Sequence, residues 1–256
     1  MKHTHTLIIG GTKGTGHIIA HALGNKGHIL SIIGRNMPEN PVGNAEYFNL
    51  DLNNISEIIP TLKKILEKNG KINNIIFLQR YKEKLGGTDN EFNITIKATK
   101  IIIDFLKDNF SDEQDKSIIL VSSIASQFIV DDQPLDYHIA KSSLNKITEY
   151  YAVILGPKKI RVNSVLPSTI FKDDLPLDLK EKYKKTNELY NSIIPLKRMV
   201  TPKDILNLVE FLISENASYI TGQKIVLDGG LSLINHESLA KKLNSKALNN
   251  ERNKTE

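Results

Sequence analysis

Tyr137 and Lys141 stand four positions apart in 135-LDYHIAKSSLNK-146, a run with a helical pattern. On a helix, side chains so spaced are neighbours, about 5–6 Å apart at Cβ. A free tyrosine titrates near 10. An ammonium one turn away favours the phenolate and lowers that value, which would equip Tyr137 to trade a proton with a substrate. Taken singly, such a pair arises often by chance, so the reading turns on whether the chain supplies the other parts of a site.

A second part lies near the N-terminus. The apolar run 6-TLIIG-10 leads directly into 10-GGTKGTG-16, and a helical pattern follows. Gly10, Gly14 and Gly16 allow a sharp strand-to-helix turn and a close approach of phosphate to backbone, which side chains would block. The helix N-terminus then offers free N–H groups to a pyrophosphate. In this strand–turn–helix context the loop reads as a dinucleotide site. Folds selecting NAD place an acidic residue at the end of the second strand. Here that end reads 34-GRN-36, so Gly34 brings no carboxylate and Arg35 follows it, while Lys13 sits inside the loop. Two cations near the adenosine ribose suit a 2′-phosphate, and the expected cofactor is NADP(H). Asp51, just after the third strand, is placed to accept a hydrogen bond from the adenine amino group.

The elements that must position these groups alternate along the chain. Strands are expected at 6–10, 28–34, 45–50, 73–78, 117–122, 160–166 and 223–228, nearly continuous in Ile, Val and Leu, as strands covered on both faces are. Helical patterns fall at 15–25, 55–69, 90–109, 137–155 and 202–214. This alternation predicts βαβ units, right-handed crossovers and an α/β fold, a single-domain Rossmann-type doubly wound parallel sheet of about seven strands with helices on both faces. The segment 168–195 breaks the alternation, being long and mixed in character. Residues 1–230 are read as one domain and 231–256 as a polar tail, helical near 237–248.

Composition excludes several classes. The 256 residues are 40% hydrophobic and 25% charged, ordinary for a globular chain. No apolar run approaches the roughly 18 residues of a membrane span, and the N-terminus lacks a signal peptide's long apolar core. Without cysteine there is neither a disulfide framework nor thiol catalysis. The expectation is a cytoplasmic protein. The net charge of +5 comes partly from the tail and partly from 172–203, where Lys180, Lys182, Lys184 and Lys185 read as solvated helix faces and not as a nucleic-acid surface. No metal site is expected, and His3 and His5 read as part of a loose terminus.

The chain resembles the short-chain dehydrogenase/reductase family, and 3-oxoacyl-carrier-protein reductases and related carbonyl reductases within it. The resemblance runs from the glycine loop through Asp51, Asn93, 122-SS-123, 137-YHIAK-141 and 161-RVN-163 to the stretch from Pro195 to 228-DGG-230. It implies a catalytic set of Ser123, Tyr137, Lys141 and Asn93. A carbonyl accepting hydride develops negative charge on oxygen, and Tyr137 would donate a proton there while Ser123 hydrogen-bonds the same atom. Lys141 would also bond the nicotinamide ribose, and Asn93 would hold a relay water. Ser122 is the rival for the serine role, because Ser123 lies about one residue further from Tyr137 than the family interval. Thr12, Thr15, Leu52 and Ile170 join Gly10, Lys13, Gly14, Gly16, Arg35, Asp51, Tyr137 and Lys141 as expected cofactor contacts.

Three departures from the family pattern stand out. The N-N-A-G after the fourth strand is replaced by 77-FLQR-80, the P-G after the sixth strand by 167-PS-168, and a threonine near the nicotinamide by Lys172. Arg80 and Lys172 read as plain surface residues. The segment 168–195 would cover the substrate with Phe171, Leu175, Leu177, Leu179, Tyr183, Leu189 and Tyr190. The expected partners are a small carbonyl or alcohol substrate and a second copy of the chain, as homodimer or homotetramer. Two other readings are a catalytically weak nucleotide-binding sensor or scaffold, motivated by the altered 77–80 and 167–168 segments, and a nucleotide-sugar epimerase or dehydratase sharing Y-x-x-x-K.

Overall fold

A computed structural model describes residues 4–81, 88–112, 116–171 and 177–252. The chain divides into two compact units, residues 1–166 with 202–226, and residues 167–201 with 227–256.

The first unit holds the sheet. Its strands are β1 (His5–Ile9), β2 (Ile29–Gly34), β3 (Ala45–Asn49), β4 (Asn74–Phe77), β5 (Lys116–Val121), β6 (Ile160–Pro167) and β7 (Lys224–Leu227), in spatial order β3-β2-β1-β4-β5-β6-β7. Every registered pair is parallel, with Ile9 opposite Ile33 and Phe77 across the two sides of β1 and Val121 opposite Val165. The order reverses between β1 and β4, the switch point at which open α/β sheets bind ligands beyond their carboxyl ends.

The strands form because β-branched residues fill both faces. In β1, Leu7, Ile8 and Ile9 are fully buried. Leu7 and Ile9 join a core with Ile58, Leu62 and Ile65 of α2 (Ile55–Asn69) and with α4 (Ala98–Leu106) and α5 (Leu135–Leu155). Side chains alternate across a strand, so Ile8 faces the opposite side. There α1 (Gly14–Asn25) and α7 (Pro202–Ile213) pack against each other, α1 on β1 and α7 on β5. Helices thus cover both faces of the sheet.

The expected strands and helices lie within two residues of observed ones, with three departures. The helix expected over 90–109 is α-helical at α3 (Thr88–Glu91), π-helical at Phe92–Lys97 and α-helical again in α4, which stops at Leu106. The π-turn arises because the Ala98 N–H bonds to Asn93 O, five residues back. Second, His5 is no loose terminus. Its Nδ1 lies 3.1 Å from Gly70 O and its Nε2 2.8 Å from Ser31 Oγ, and burial lowers its pKa. His3 lies outside the described residues. Third, the tail helix is longer than 237–248.

The second unit contains α6 (Leu177–Ile193) and α8 (His236–Arg252), which pack against each other. Both the segment 168–195 and the tail therefore contribute to it. Ile170 forms a parallel bridge with Val200, and the Ser168 N–H bonds to Leu227 O at 3.1 Å. Lys172 and Leu175 lie outside the described residues. Of those described in the segment, Tyr183 and Leu189 are exposed and Phe171 and Tyr190 half-buried. No helix among the described residues is long and apolar enough to cross a membrane.

Candidate active site

The glycines are fixed by packing. Gly10 has a φ of +86°, and a Cβ on it would stand 2.9 Å from the backbone nitrogen of Gln79. A Cβ on Gly16 would lie 2.2 Å from Gly10 O, an impossible contact. Only backbone fits where β1 turns into α1 beside the end of β4. The first turn of α1 has no acidic residue and no side-chain cap from Lys13, so its N–H groups and dipole are left for an anion. Thr12 and Thr15 are half-buried in this turn, and Gly14 is exposed.

Lys13 and Arg35 are both exposed, and neither has a side-chain partner among the described residues. A Cβ on Gly34 would meet Thr12 Cγ2 at 2.5 Å, so the end of β2 is pressed onto the glycine loop. Asp51 is exposed and accepts the Asn53 N–H on Oδ1 at 3.0 Å, while Leu52 is buried beneath it. The glycine cradle, the open helix terminus and the two free cations fit a phosphorylated dinucleotide.

The catalytic candidates lie just past the carboxyl end of β5, on α5 and in the π-turn that precedes α4. Lys141 is only 3% exposed; its Nζ donates to Val121 O at 3.3 Å and lies 5.6 Å from the Tyr137 ring centroid. Burial pushes the Lys141 pKa down to about 8, with the Glu91 carboxylate opposing and the Arg80 guanidinium reinforcing. His138 pins the preceding loop to α5, because its Nε2 accepts the Val130 N–H at 2.9 Å and its Nδ1 lies 3.0 Å from Pro134 O.

The two serines have different commitments. Ser122 is buried, and its hydroxyl donates to Lys141 O at 3.0 Å. Ser123 is half-buried, and its Oγ accepts the Ala125 N–H at 3.1 Å, which leaves its own proton to give. Asn93 is half-buried in the π-turn with no side-chain partner among the described residues. Such turns recur at functional sites because the extra residue re-aims side chains.

The altered segment after β4 has its own architecture. Gln79 is buried and donates to Thr99 Oγ1 at 2.8 Å; Thr99 donates to Thr95 O at 2.7 Å, and Thr95 Oγ1 to Glu91 Oε1 at 2.7 Å. This relay ties β4 to the helical stretch that carries Asn93. Arg80, read from sequence as a plain surface residue, is exposed but stands with Cζ 5.3 Å from the Tyr137 ring centroid and bonds Gln133 Oε1 at 3.2 Å. Nothing in the local sequence of 77-FLQR-80 signals either role, since the partners are distant along the chain. Ile170 belongs to the second unit.

Residues 10–232 match the family model described as Enoyl-(Acyl carrier protein) reductase. L-xylulose reductase of Caenorhabditis elegans is 34% identical over 148 residues, covering 56% of this chain and 57% of that protein. The chain spans about half the length of the first curated relatives it matches. A solved 3-oxoacyl-[acyl-carrier protein] reductase from Brucella melitensis, in complex with NAD, is similar with TM-score 0.77 and 24% identity over 92% of this chain and 99% of that one. ElxO with NADP bound gives TM-score 0.77 and 21% identity over 91% and 100% of the two chains.

Proposed function

Because the chain belongs to the short-chain dehydrogenase/reductase family of oxidoreductases, we propose that it interconverts a carbonyl and a secondary alcohol with NADP(H), using Tyr137 as general acid and base. The observation that carries this reading is the buried Lys141 beside the Tyr137 ring at the carboxyl end of β5.

The glycine loop with Lys13 and Arg35 would hold NADPH, and the cofactor would supply a hydride to the carbonyl carbon. The chain's own groups manage the oxygen. Ser123 donates a hydrogen bond to it, and Tyr137 delivers its proton as negative charge develops there. Hydride plus proton gives the alcohol. The Lys141 ammonium stabilises the charge left on the phenol oxygen, and Asn93 holds a water that returns the proton. In the reverse direction Tyr137 accepts the alcohol proton. The free cations Arg35 and Lys13 support NADP over NAD; ElxO is a relative with NADP bound, and the Brucella structure holds NAD.

The segment 168–195 serves in this reading as a lid. Self-association as a dimer or tetramer is supported by the exposed apolar side chains Ile139, Tyr150, Val153 and Ile154 along α5, and light scattering across a concentration series tests it. The function is tested by NADPH oxidation against a broad panel of aldehydes and ketones, with parallel titration of NADPH and NADH. No turnover of any member with either cofactor would overturn it.

A further inference from the structure

We propose that Arg80 anchors a carboxylate carried by the substrate, and that the chain acts on short oxo acids. This rests on the carbonyl-reductase reading above and names the substrate class of that same site.

The position comes first. Arg80 follows β4 at its carboxyl end, where the Leu78 N–H still pairs with Ile9 O at 2.8 Å. From there its guanidinium reaches the aromatic ring of the proposed proton donor, 5.3 Å from the centroid. A group bound to Arg80 is therefore held beside the reacting oxygen, not out on the rim.

The donor count comes next. A guanidinium has five N–H donors in a planar fork. Among the described residues only Gln133 takes one, through an exposed bond of 3.2 Å, and no carboxylate pairs with Arg80. Other cations of the first unit have acidic partners, such as Lys71 with Asp112 and Lys100 with Asp104. The ring contact and the Gln133 bond hold the plane of the fork and leave it open, which is the arrangement that receives a planar two-oxygen anion.

The charge balance favours a single negative charge. The second cation of the site, Lys141, is buried and has the buried Glu91 carboxylate acting on it. One accessible positive charge remains, which matches a monocarboxylate better than a phosphate dianion. The short reach from guanidinium to phenol calls for few carbons between carboxylate and carbonyl.

The experiment compares matched acid and methyl-ester pairs with the carbonyl at increasing distance: pyruvate, acetoacetate and levulinate, each against its methyl ester. Initial rates of NADPH oxidation give kcat/KM for wild type, Arg80→Ala and Arg80→Lys. At least one acid should exceed its ester by roughly ten- to a hundredfold in wild type, the size of a lost charge-assisted bond. In Arg80→Ala that ratio should collapse through KM, and Arg80→Lys should restore only part of it. Calorimetric titration of the NADP-loaded protein with lactate, 3-hydroxybutyrate and their methyl esters reads the same preference without turnover. Esters matching or exceeding acids throughout would overturn the proposal and leave the reductase reading intact. An equal loss of NADPH affinity in Arg80→Ala with no change in the acid-to-ester ratio would assign Arg80 to the cofactor, and also overturn it. Turnover of neither class with any carbonyl removes the reductase reading itself.

Discussion

Lys141 Nζ lies 5.6 Å from the centroid of the Tyr137 ring and is tied to Val121 O at 3.3 Å. The one-turn spacing on α5 brings the pair together, and the end of β5 holds the ammonium in place. A phenol so flanked is positioned to give and take a proton at the strand ends. Tyr137→Phe keeps the ring and its contacts with Arg80 and Lys141 but removes the hydroxyl. Carbonyl turnover should fall roughly a hundred- to ten-thousandfold, with the NADPH dissociation constant little changed. Near-normal turnover by the Phe variant would remove Tyr137 from the chemistry.

The same pair makes a pH prediction. Lys141 is pushed down to about 8 by burial, raised by Glu91 and lowered by Arg80. Its charge is present below about pH 8 and lost as pH rises through that value. The value of kcat/KM, which reports groups of the free enzyme, should therefore fall on the alkaline side near pH 8. Glu91→Gln removes the attraction that keeps Lys141 charged and should move this limb to lower pH. Arg80→Gln removes a like charge and should move it higher. Profiles of the two variants that shift in the same direction, or not at all, would detach the limb from Lys141.

The adjacent serines should separate by effect. Ser123 keeps its hydroxyl proton to give, and Ser123→Ala should lower kcat roughly a hundred- to a thousandfold, as for other donors to a developing oxyanion. Ser122 spends its hydroxyl on Lys141 O. Ser122→Ala should cost about 1 kcal/mol of stability with a much smaller loss of turnover. Thermal melts and rates on both variants decide between them, and the reverse pattern would exchange their roles.

Much of this architecture can be read in the sequence because its causes are local. Parallel strands buried on both faces must be apolar runs, so β1, β2, β5 and β6 stand out. The Gly10 and Gly16 positions are visible because backbone crowding admits no Cβ, and Tyr137 and Lys141 because helical geometry makes a fixed offset into a contact. What is hidden depends on partners far along the chain. Arg80 meets Tyr137 and Gln133 only once the end of β4 lies beside the start of α5, and Gln79 meets Thr99 only once it lies beside α4. The π-turn at Asn93 is a slip of one hydrogen bond and changes no periodicity a window can detect. The second unit is obscure for a different reason: α6 and α8 are rich in charge, so the first falls in a segment that reads only as mixed in character and the second reads as a polar tail.

That pairing is itself testable. The described side chains of α6 are largely exposed, and α8 packs along it. Truncation after Asn235 should speed amide exchange across 177–193 by mass spectrometry, because an isolated helix of this length is marginal in water. If the segment acts as a lid, NADPH with substrate should slow its exchange in the full chain. Equal exchange in all these states would show α6 to be independent of both tail and ligands.

Cofactor choice follows from two cations and one glycine. Arg35 and Lys13 are exposed and have no side-chain partner among the described residues. In the proposed NADP reading each meets the 2′-phosphate of NADPH, in a charge-assisted contact of about 1.5–3 kcal/mol before screening. Tenfold in affinity is about 1.4 kcal/mol. Arg35→Ala should therefore weaken NADPH roughly ten- to a hundredfold, and Lys13→Ala should act in the same direction, while NADH, with no phosphate to lose, changes little. An aspartate at position 34 would offer NADH a ribose acceptor, but its Cβ would stand 2.5 Å from Thr12 Cγ2 and disturb the loop that both cofactors use. Gly34→Asp should consequently weaken NADH as well as NADPH unless Thr12 is trimmed, and Thr12→Ala with Gly34→Asp and Arg35→Ala should recover NADH binding. Dissociation constants for both cofactors on these variants, measured at two salt concentrations, test the assignment: the NADPH preference should shrink as salt rises. Equal binding of NADH and NADPH by the wild type would make both cations surface charges and end the NADP reading.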